Sequence, residues 1–158
     1  MAEVKYYAYG SNMDWFQMKE RCPSARFVGI AVLPGHAVEF TRYSTSRGCG
    51  VADITPCHGH DVWGVVYEID EDEDLPKLDK NEGYDSKRPK GKNSYNREEI
   101  DVHLDGNPET GIRTWTYIAN KQKDTPRPNR AYLQHLVYGA TFWRLPDDYI
   151  HELERIEV

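Results

Sequence analysis

The chain has 158 residues, of which 39% are hydrophobic and 29% charged, and its formal net charge at pH 7 is −6. A negative net charge argues against nucleic acid as a partner, because phosphate contacts need a clustered basic surface. No apolar run approaches the ~20 residues that cross a bilayer, and the N-terminus lacks the basic start and apolar stretch of a signal peptide. We therefore expect one domain, residues 1–158, in the cytoplasm.

The early part of the chain is predicted to be rich in strands, since β-branched and aromatic residues alternate between turn residues. The predicted strands are 4–9, 25–33, 36–43, 49–54 and 61–69. Asp14 is placed to cap a short helix over 14–21. Pro34-Gly35 predicts a turn that joins two strands into a hairpin, and residues 44–48 are predicted to be a loop.

The later part of the chain is predicted to contain most of the helices. Acidic residues 70–74 lead into a predicted helix that Gly83 ends, because carboxylates favour a helix start and glycine its end. The remaining predicted elements are a loop at 84–94, strands at 95–104 and 112–119, a helix at 130–143 and a last helix after Pro146. Together these elements predict an α+β fold with a mostly antiparallel, curled sheet or small β-barrel flanked by helices.

Cysteine and histidine residues give little support for a metal site. Cys22, Cys49 and Cys57 are too few and too irregularly spaced for a disulfide framework, and no C-x-x-C pattern occurs. We interpret them as reduced thiols. The segment CHGHD, residues 57–61, holds two histidines that would share one face of a strand, but its glycine and the preceding proline favour a hairpin turn. The sequence therefore predicts neither a catalytic metal nor a cofactor.

The turn after the first strand is the first candidate for a functional site. Gly10, Ser11 and Asn12 expose successive backbone N–H groups just before a predicted helix, and such groups bind anions or an oxyanion. A plain strand-to-helix turn, in which Asn12 makes a local hydrogen bond, is the alternative, and the residue pattern alone favours it.

Three segments in order, YAYGSNM, VWGVVYEI and LDKNEGY, resemble the γ-glutamylcyclotransferase or AIG2-like family. In that family a Y-G-S-N loop after the first strand faces the acidic residue of an L-D-x-x-E-G segment. The matching positions here are Tyr9 to Asn12 for the loop and Glu82 for the acid. CGVADI, TYIAN and the segment Tyr138 to Ala140 are also similar to family segments, so the resemblance extends over nearly the whole chain.

The resemblance implies an enzyme that cyclises a γ-glutamyl group to 5-oxoproline and releases an amine, with no metal or cofactor. Glu82 would act as general base and then general acid. The implied substrate-binding residues are Tyr9, Gly10, Ser11, Asn12, Tyr95 and Tyr132. The loop between Glu82 and Tyr95 departs from the animal enzymes, because it is longer and strongly basic.

Two alternatives remain beside the cyclising enzyme. The first is a non-catalytic module that binds a small molecule or a partner on the same fold. The second is an amide-processing enzyme that releases free glutamate. The basic loop has two interpretations as well: it receives an anionic substrate, or it is a solvated surface loop.

Overall fold

The structure is a computed structural model, and it describes residues 2–158. The strands are β1 (Glu3–Ala8), β2 (Arg26–Ser44), β3 (Cys49–Asp70), β4 (Tyr95–Leu104) and β5 (Gly111–Ala119). The α-helices are α1 (Trp15–Arg21), α2 (Leu75–Asn81), α3 (Arg130–Phe142) and α4 (Asp147–Glu154). Single 3-10 turns occur at Ser11–Met13 and Lys90–Lys92. Within residues 2–158, each helix is too short or too polar to cross a membrane.

The strands close into a barrel in the order β1, β3, β2, β4, β5. All neighbours are antiparallel except β1 and β5, which meet in a parallel pair at Tyr6 and Trp115 and so close the ring. The predicted α+β class with a small, mostly antiparallel barrel is confirmed. Closure rests on short contacts, since β2 and β4 pair at two positions and β1 and β5 at one, and it makes room inside for large side chains.

Tyrosines fill much of the barrel interior, and several of their hydroxyl groups donate to backbone oxygens. Tyr7 is completely buried, and its hydroxyl lies 3.1 Å from the carbonyl oxygen of Val62 and 3.3 Å from that of Ala31. A buried hydroxyl without a partner would cost about 1–3 kcal/mol, so these contacts are needed for an aromatic core that carries polar tips.

Strands β2 and β3 form one long hairpin, which corrects the shorter hairpins expected from the sequence. The turn predicted at Pro34-Gly35 is wrong, because β2 runs through it, and the turn predicted at 57–61 lies inside β3. The pairing is irregular there, with Gly35 opposite residues 57–60. Gly35 and Gly59 have φ angles of 69° and 82°, so these glycines accommodate a bulge instead of reversing the chain.

The hairpin turn itself falls where a loop was predicted, at residues 45–48, and Gly48 has the positive φ that such a turn needs. The predicted helix cap at Asp14 is also present: its carboxylate accepts a hydrogen bond from the N–H of Phe16 at 3.1 Å. Strands β4 and β5 and helix α3 agree with their predicted bounds to within a residue.

Helix α3 packs directly against the turn that follows β1. Gly139 lies so close to the turn that a Cβ atom there would be 2.4 Å from the carbonyl oxygen of Met13. The indole N–H of Trp143, just beyond the helix, donates to the same oxygen at 3.1 Å. From the other side, the hydroxyl of Tyr67 donates to the carbonyl oxygen of Asn12 at 2.8 Å. The turn is therefore held between the barrel and α3.

We expect Gly139→Ala to lower the free energy of unfolding by about 2 kcal/mol, because the new methyl group overlaps the backbone of Met13. Urea unfolding followed by circular dichroism measures this value. Gly91→Ala is the matched control, since a Cβ there meets nothing within 4 Å. Equal stability of the two variants would show that α3 does not pack tightly on the turn.

Candidate active site

A narrow pocket of about 40 Å³, here called the inner pocket, lies beside the residues that follow β1. The residues predicted to form the site all line it: Tyr9, Gly10, Ser11, Asn12, Glu82, Tyr95 and Tyr132. Tyr6, Ala52 and Tyr117 complete its wall. Residues from six separate parts of the chain thus meet around one small space.

The inner pocket adjoins a larger cleft of about 490 Å³, here called the outer cleft. Ser11, Glu82, Tyr95 and Tyr132 line both spaces. The combined volume falls in the range of ordinary small-molecule sites, about 300–1,000 Å³. Glu82 therefore stands at the junction, within reach of a ligand that occupies both parts.

The end of α2 determines where Glu82 stands. Glu82 is the C-terminal cap residue, and Gly83 follows it with φ 67°. The N–H of Gly83 donates to the carbonyl oxygen of Lys80 at 3.2 Å. The N–H of Tyr84 donates to the backbone carbonyl oxygen of Asp79 at 2.8 Å. These two bonds form a Schellman motif, which requires the left-handed glycine conformation and leaves little freedom to the backbone of Glu82.

The carboxyl group of Glu82 is enclosed by protein except where it faces the cavity. Protein atoms surround the carboxyl group on its other sides, and the residue as a whole is half-buried, between the inner pocket and the outer cleft. This burial raises the pKa of Glu82 from 4.5 to about 7, although the charges of Arg21 and Arg47 oppose the rise. A carboxyl group with such a pKa both accepts and donates a proton near neutrality.

Side chains of α1 hold the turn at residues 11–13. The amide of Gln17 donates to the Ser11 hydroxyl and to the side-chain oxygen of Asn12, each at 2.9 Å. Arg21 donates to the same Asn12 oxygen at 3.0 Å. Asn12 is buried, and its own NH₂ group donates to the hydroxyl of Tyr6 at 3.0 Å. With these partners the asparagine serves as the anchor of the turn.

The predicted pocket tyrosines have different hydrogen-bond roles. Tyr95 donates its hydroxyl proton to the carbonyl oxygen of Ala52 at 2.6 Å, and Tyr9 donates to that of Tyr117 at 2.5 Å. The hydroxyl of Tyr132 instead accepts from the N–H of Ala52 at 3.0 Å, which leaves its own hydrogen for a ligand. Burial raises the pKa of Tyr132, so the group is a neutral donor near pH 7.

Sequence reasoning missed Tyr6 and Tyr117, which also line the inner pocket. The hydroxyl of Tyr117 donates to Asp79 on α2 at 2.7 Å, and Arg97 contacts the other oxygen of Asp79 at 2.7 Å. This chain of contacts ties the helix that carries Glu82 to strands β4 and β5. Alternation along β1 gives no signal for Tyr6, because residues two apart share one face of a strand and Tyr6 is three residues from Tyr9.

The basic loop at 84–94 contributes only Ser94 to the outer cleft and nothing to the inner pocket. Its cations point elsewhere: Lys90 pairs with Glu98 at 3.2 Å, and Arg88 donates to Asn93 and to the carbonyl oxygen of Gly83. Across the described chain, residues 2–158, no three His, Cys, Asp or Glu side chains are grouped as metal ligands would be.

The barrel and the pocket define a small α+β protein with a carboxyl group at the base of a cleft. Comparison with known proteins shows the family to which this protein belongs. A model of the AIG2-like family matches residues 61–153, a span that includes Glu82. The γ-glutamylcyclotransferase of Bos taurus is 31% identical over 156 residues, which cover 96% of this chain and 78% of the relative. The Homo sapiens protein of the same name gives the same identity and coverage.

A solved structure described as γ-glutamyl cyclotransferase superposes with a TM-score of 0.87 at 27% identity, covering 99% of this chain and 89% of the other. The chain belongs to the AIG2-like family. The resemblance noted from the sequence motifs is therefore confirmed.

The raised pKa of Glu82 makes stability depend on pH. Below pH 4.5 the carboxyl group of Glu82 is neutral in the folded and the unfolded chain, so its burial costs little. Between pH 4.5 and about 7 it ionises in the unfolded chain first, and the free energy of unfolding falls until the folded chain ionises as well. The free energy of unfolding of the wild type, minus that of Glu82→Gln, should fall by about 1–2 kcal/mol between acid and mildly alkaline pH, less than the full shift because one side faces the cavity. Urea titrations at several pH values measure the difference, and a flat curve would contradict the enclosed carboxyl group.

Proposed function

We propose that the protein cyclises the γ-glutamyl group of a γ-glutamyl amino acid or amine to 5-oxoproline, with release of the amine. The observation that carries this proposal is the shared pocket: Glu82 and the turn Tyr9 to Asn12 line one space although they are far apart in the chain. The relatives named γ-glutamylcyclotransferase support the same assignment.

The proposed reaction is an attack within one molecule. The α-amine nitrogen of the γ-glutamyl group attacks its own γ-carbonyl carbon, and a carbon–nitrogen bond forms to close a five-membered lactam. The bond from that carbon to the leaving nitrogen then breaks. Because attacker and target are parts of one substrate, the protein needs no nucleophile of its own, and holding the folded conformation supplies up to about 7–11 kcal/mol of the barrier reduction.

Glu82 moves the proton in this proposal. The α-amine of a free substrate is protonated near neutral pH and must lose a proton before it attacks. An ionised Glu82 takes that proton and later delivers it to the leaving nitrogen. The attacking nitrogen loses a second proton as the lactam forms, and the released amine takes it up, so the positive charge of the substrate ammonium group ends on the released amine. A pKa of about 7 suits both steps, because the group is then neither too weak a base nor too weak an acid.

The turn and the tyrosines would bind the substrate. The backbone N–H groups of Gly10, Ser11 and Asn12 begin the turn at Ser11–Met13, where a helical turn has no partners for its first donors. They are proposed to hold the oxygen that becomes negative in the tetrahedral state, or the α-carboxylate. Tyr132 would donate its free hydroxyl hydrogen, and Tyr9 and Tyr95 would form the wall.

The remaining parts of the proposal follow from this chemistry. Internal cyclisation requires neither metal nor cofactor. The proposed compartment is the cytoplasm, and the free thiols Cys22, Cys49 and Cys57 are compatible with it. The assignment of residues 1–158 to one domain stays a prediction.

Glu82→Gln should lower kcat for 5-oxoproline formation by about 10²–10⁴-fold, because the amide cannot accept the proton. For the wild type, kcat/KM should rise with pH as Glu82 becomes ionised, and the midpoint of this rise should lie near pH 7. Product detection by mass spectrometry over γ-glutamyl dipeptides and γ-glutamyl amines measures both effects. Circular dichroism confirms that the variant is folded.

Glu98→Gln is the control, because this exposed carboxylate on β4 pairs with Lys90 and lines neither cavity. Full activity of Glu82→Gln would refute the assignment of the base. Release of free glutamate would show a hydrolase, and saturable binding without any product would show a binding module.

A further inference from the structure

We propose that the preferred leaving amine is an acidic amino acid, so that the substrates are γ-glutamyl compounds whose leaving part carries two carboxylates. This inference rests on the proposed function and assigns the outer cleft as the site of the leaving part. The geometry points to it because the outer cleft concentrates positive charge around the single carboxyl group of Glu82.

Four cations line the outer cleft: Arg21, Arg42, Arg47 and Lys80. Glu82 is the one acidic side chain among the lining residues, and its raised pKa leaves it partly neutral at pH 7. The chain as a whole carries a net charge of −6, so this local excess of positive charge runs against its average. A cleft lined by one sign of charge attracts ligands of the opposite sign.

The three arginines are held in place by neutral partners. Arg21 donates to the side-chain oxygen of Asn12 at 3.0 Å, and Arg47 donates to that of Gln17 at 2.7 Å. Arg42 donates to a backbone oxygen, that of Asn120, at 2.9 Å. Such bonds orient a guanidinium group without cancelling its charge, and they leave further N–H groups for a ligand.

Arginines elsewhere in the described chain show the contrast. Arg97 pairs with Asp79 at 2.7 Å, and Arg113 pairs with Asp101 at 2.6 Å. None of the three cleft arginines takes part in an ion pair within residues 2–158. A carboxylate is the group that matches the planar fork of a guanidinium, so a ligand that supplies carboxylates would complete the cleft.

The arginines act on residues that line both the inner pocket and the outer cleft. The charges of Arg21 and Arg47 act on Glu82, whereas that of Arg42 acts on the hydroxyl of Tyr95. Arg47 also lies over the ring of Tyr132, 5.4 Å from its centre. With the γ-glutamyl group beside Glu82 in the inner pocket, the leaving part must extend into the outer cleft toward Arg42 and Arg47.

Counting carboxylates makes the selection specific. The α-carboxylate of the γ-glutamyl group stays with that group in the inner pocket, so the leaving amino acid supplies the carboxylates of the outer cleft. A neutral leaving residue supplies one. Glutamate or aspartate supplies two, one for each of Arg42 and Arg47. Lys80 is exposed at the rim and adds attraction without a defined partner.

The test compares γ-glutamyl-glutamate with γ-glutamyl-glutamine, which differ in one charge and hardly in size. We expect kcat/KM to be about 10–100-fold higher for the glutamate compound, the value of one charge-assisted hydrogen bond. The assay is run at about 0.15 M salt, where the Debye length is about 8 Å and long-range attraction is weak.

Arg42→Gln should reduce this ratio toward one, and Arg42→Lys should restore part of it. Lys87→Gln is the matched control, because it removes one positive charge from the basic loop, which contributes only Ser94 to the cleft. An unchanged ratio in Arg42→Gln, or an equal loss in Lys87→Gln, would overturn the assignment of the cleft.

Binding to the Glu82→Gln variant separates this inference from the proposed function. Calorimetry with this variant should show tighter binding of γ-glutamyl-glutamate than of γ-glutamyl-glutamine. This result is expected even if the wild type turns over neither compound. Formation of 5-oxoproline without a preference for the glutamate compound would overturn only the present inference. Absence of 5-oxoproline from every compound would overturn the proposed function. Equal binding of γ-glutamyl-glutamate and γ-glutamyl-glutamine would then overturn the inference as well.

Discussion

The enclosure of one carboxyl group beside a turn of backbone amides is the arrangement on which the rest of this structure depends. A carboxylate loses hydration when protein surrounds it, and at Glu82 this loss outweighs the attraction of two nearby arginines. Such a group stays in place only if its backbone cannot move out toward water. The glycine after it, in its left-handed conformation, and the two bonds of the helix end provide that restraint.

The barrel supplies the second half of the restraint. Strand β1 ends inside the ring, and the turn that follows is held between Tyr67 on β3 and Gly139 on α3. The link from Tyr117 through Asp79 joins the helix of Glu82 to β5, the strand that neighbours β1 in the same barrel. Turn and carboxyl group are thus mounted on one rigid frame, which suits a reaction that depends on holding a substrate in a folded conformation.

The two connected cavities divide the recognition of a substrate. The inner pocket is small and walled by tyrosines with mostly occupied hydroxyl groups, which favours one compact group and excludes water. The outer cleft is wider and carries arginines oriented by neutral partners. In the proposed reaction the outer cleft would select the leaving group, and the inner pocket would hold the γ-glutamyl group.

The sequence by itself determined the α+β class and most of the elements, and it indicated seven residues that all line the inner pocket. Local signals were sufficient for these: alternation for strands, glycine at the end of α2, and ordered motifs that resemble a family. It misplaced the turns at Pro34-Gly35 and 57–61, because a glycine that admits a bulge and a glycine that admits a turn look alike in sequence.

Only the tertiary structure decided which distant side chains share a space. The approach of Tyr6 and Tyr117 to the pocket, the enclosure that raises the pKa of Glu82 and the gathering of Arg21, Arg42 and Arg47 all depend on barrel closure. The sequence showed its basic residues most densely at 84–94, yet the cations of the cleft come from other elements. Burial and electrostatic fields arise from contacts between remote segments, and no local pattern records them.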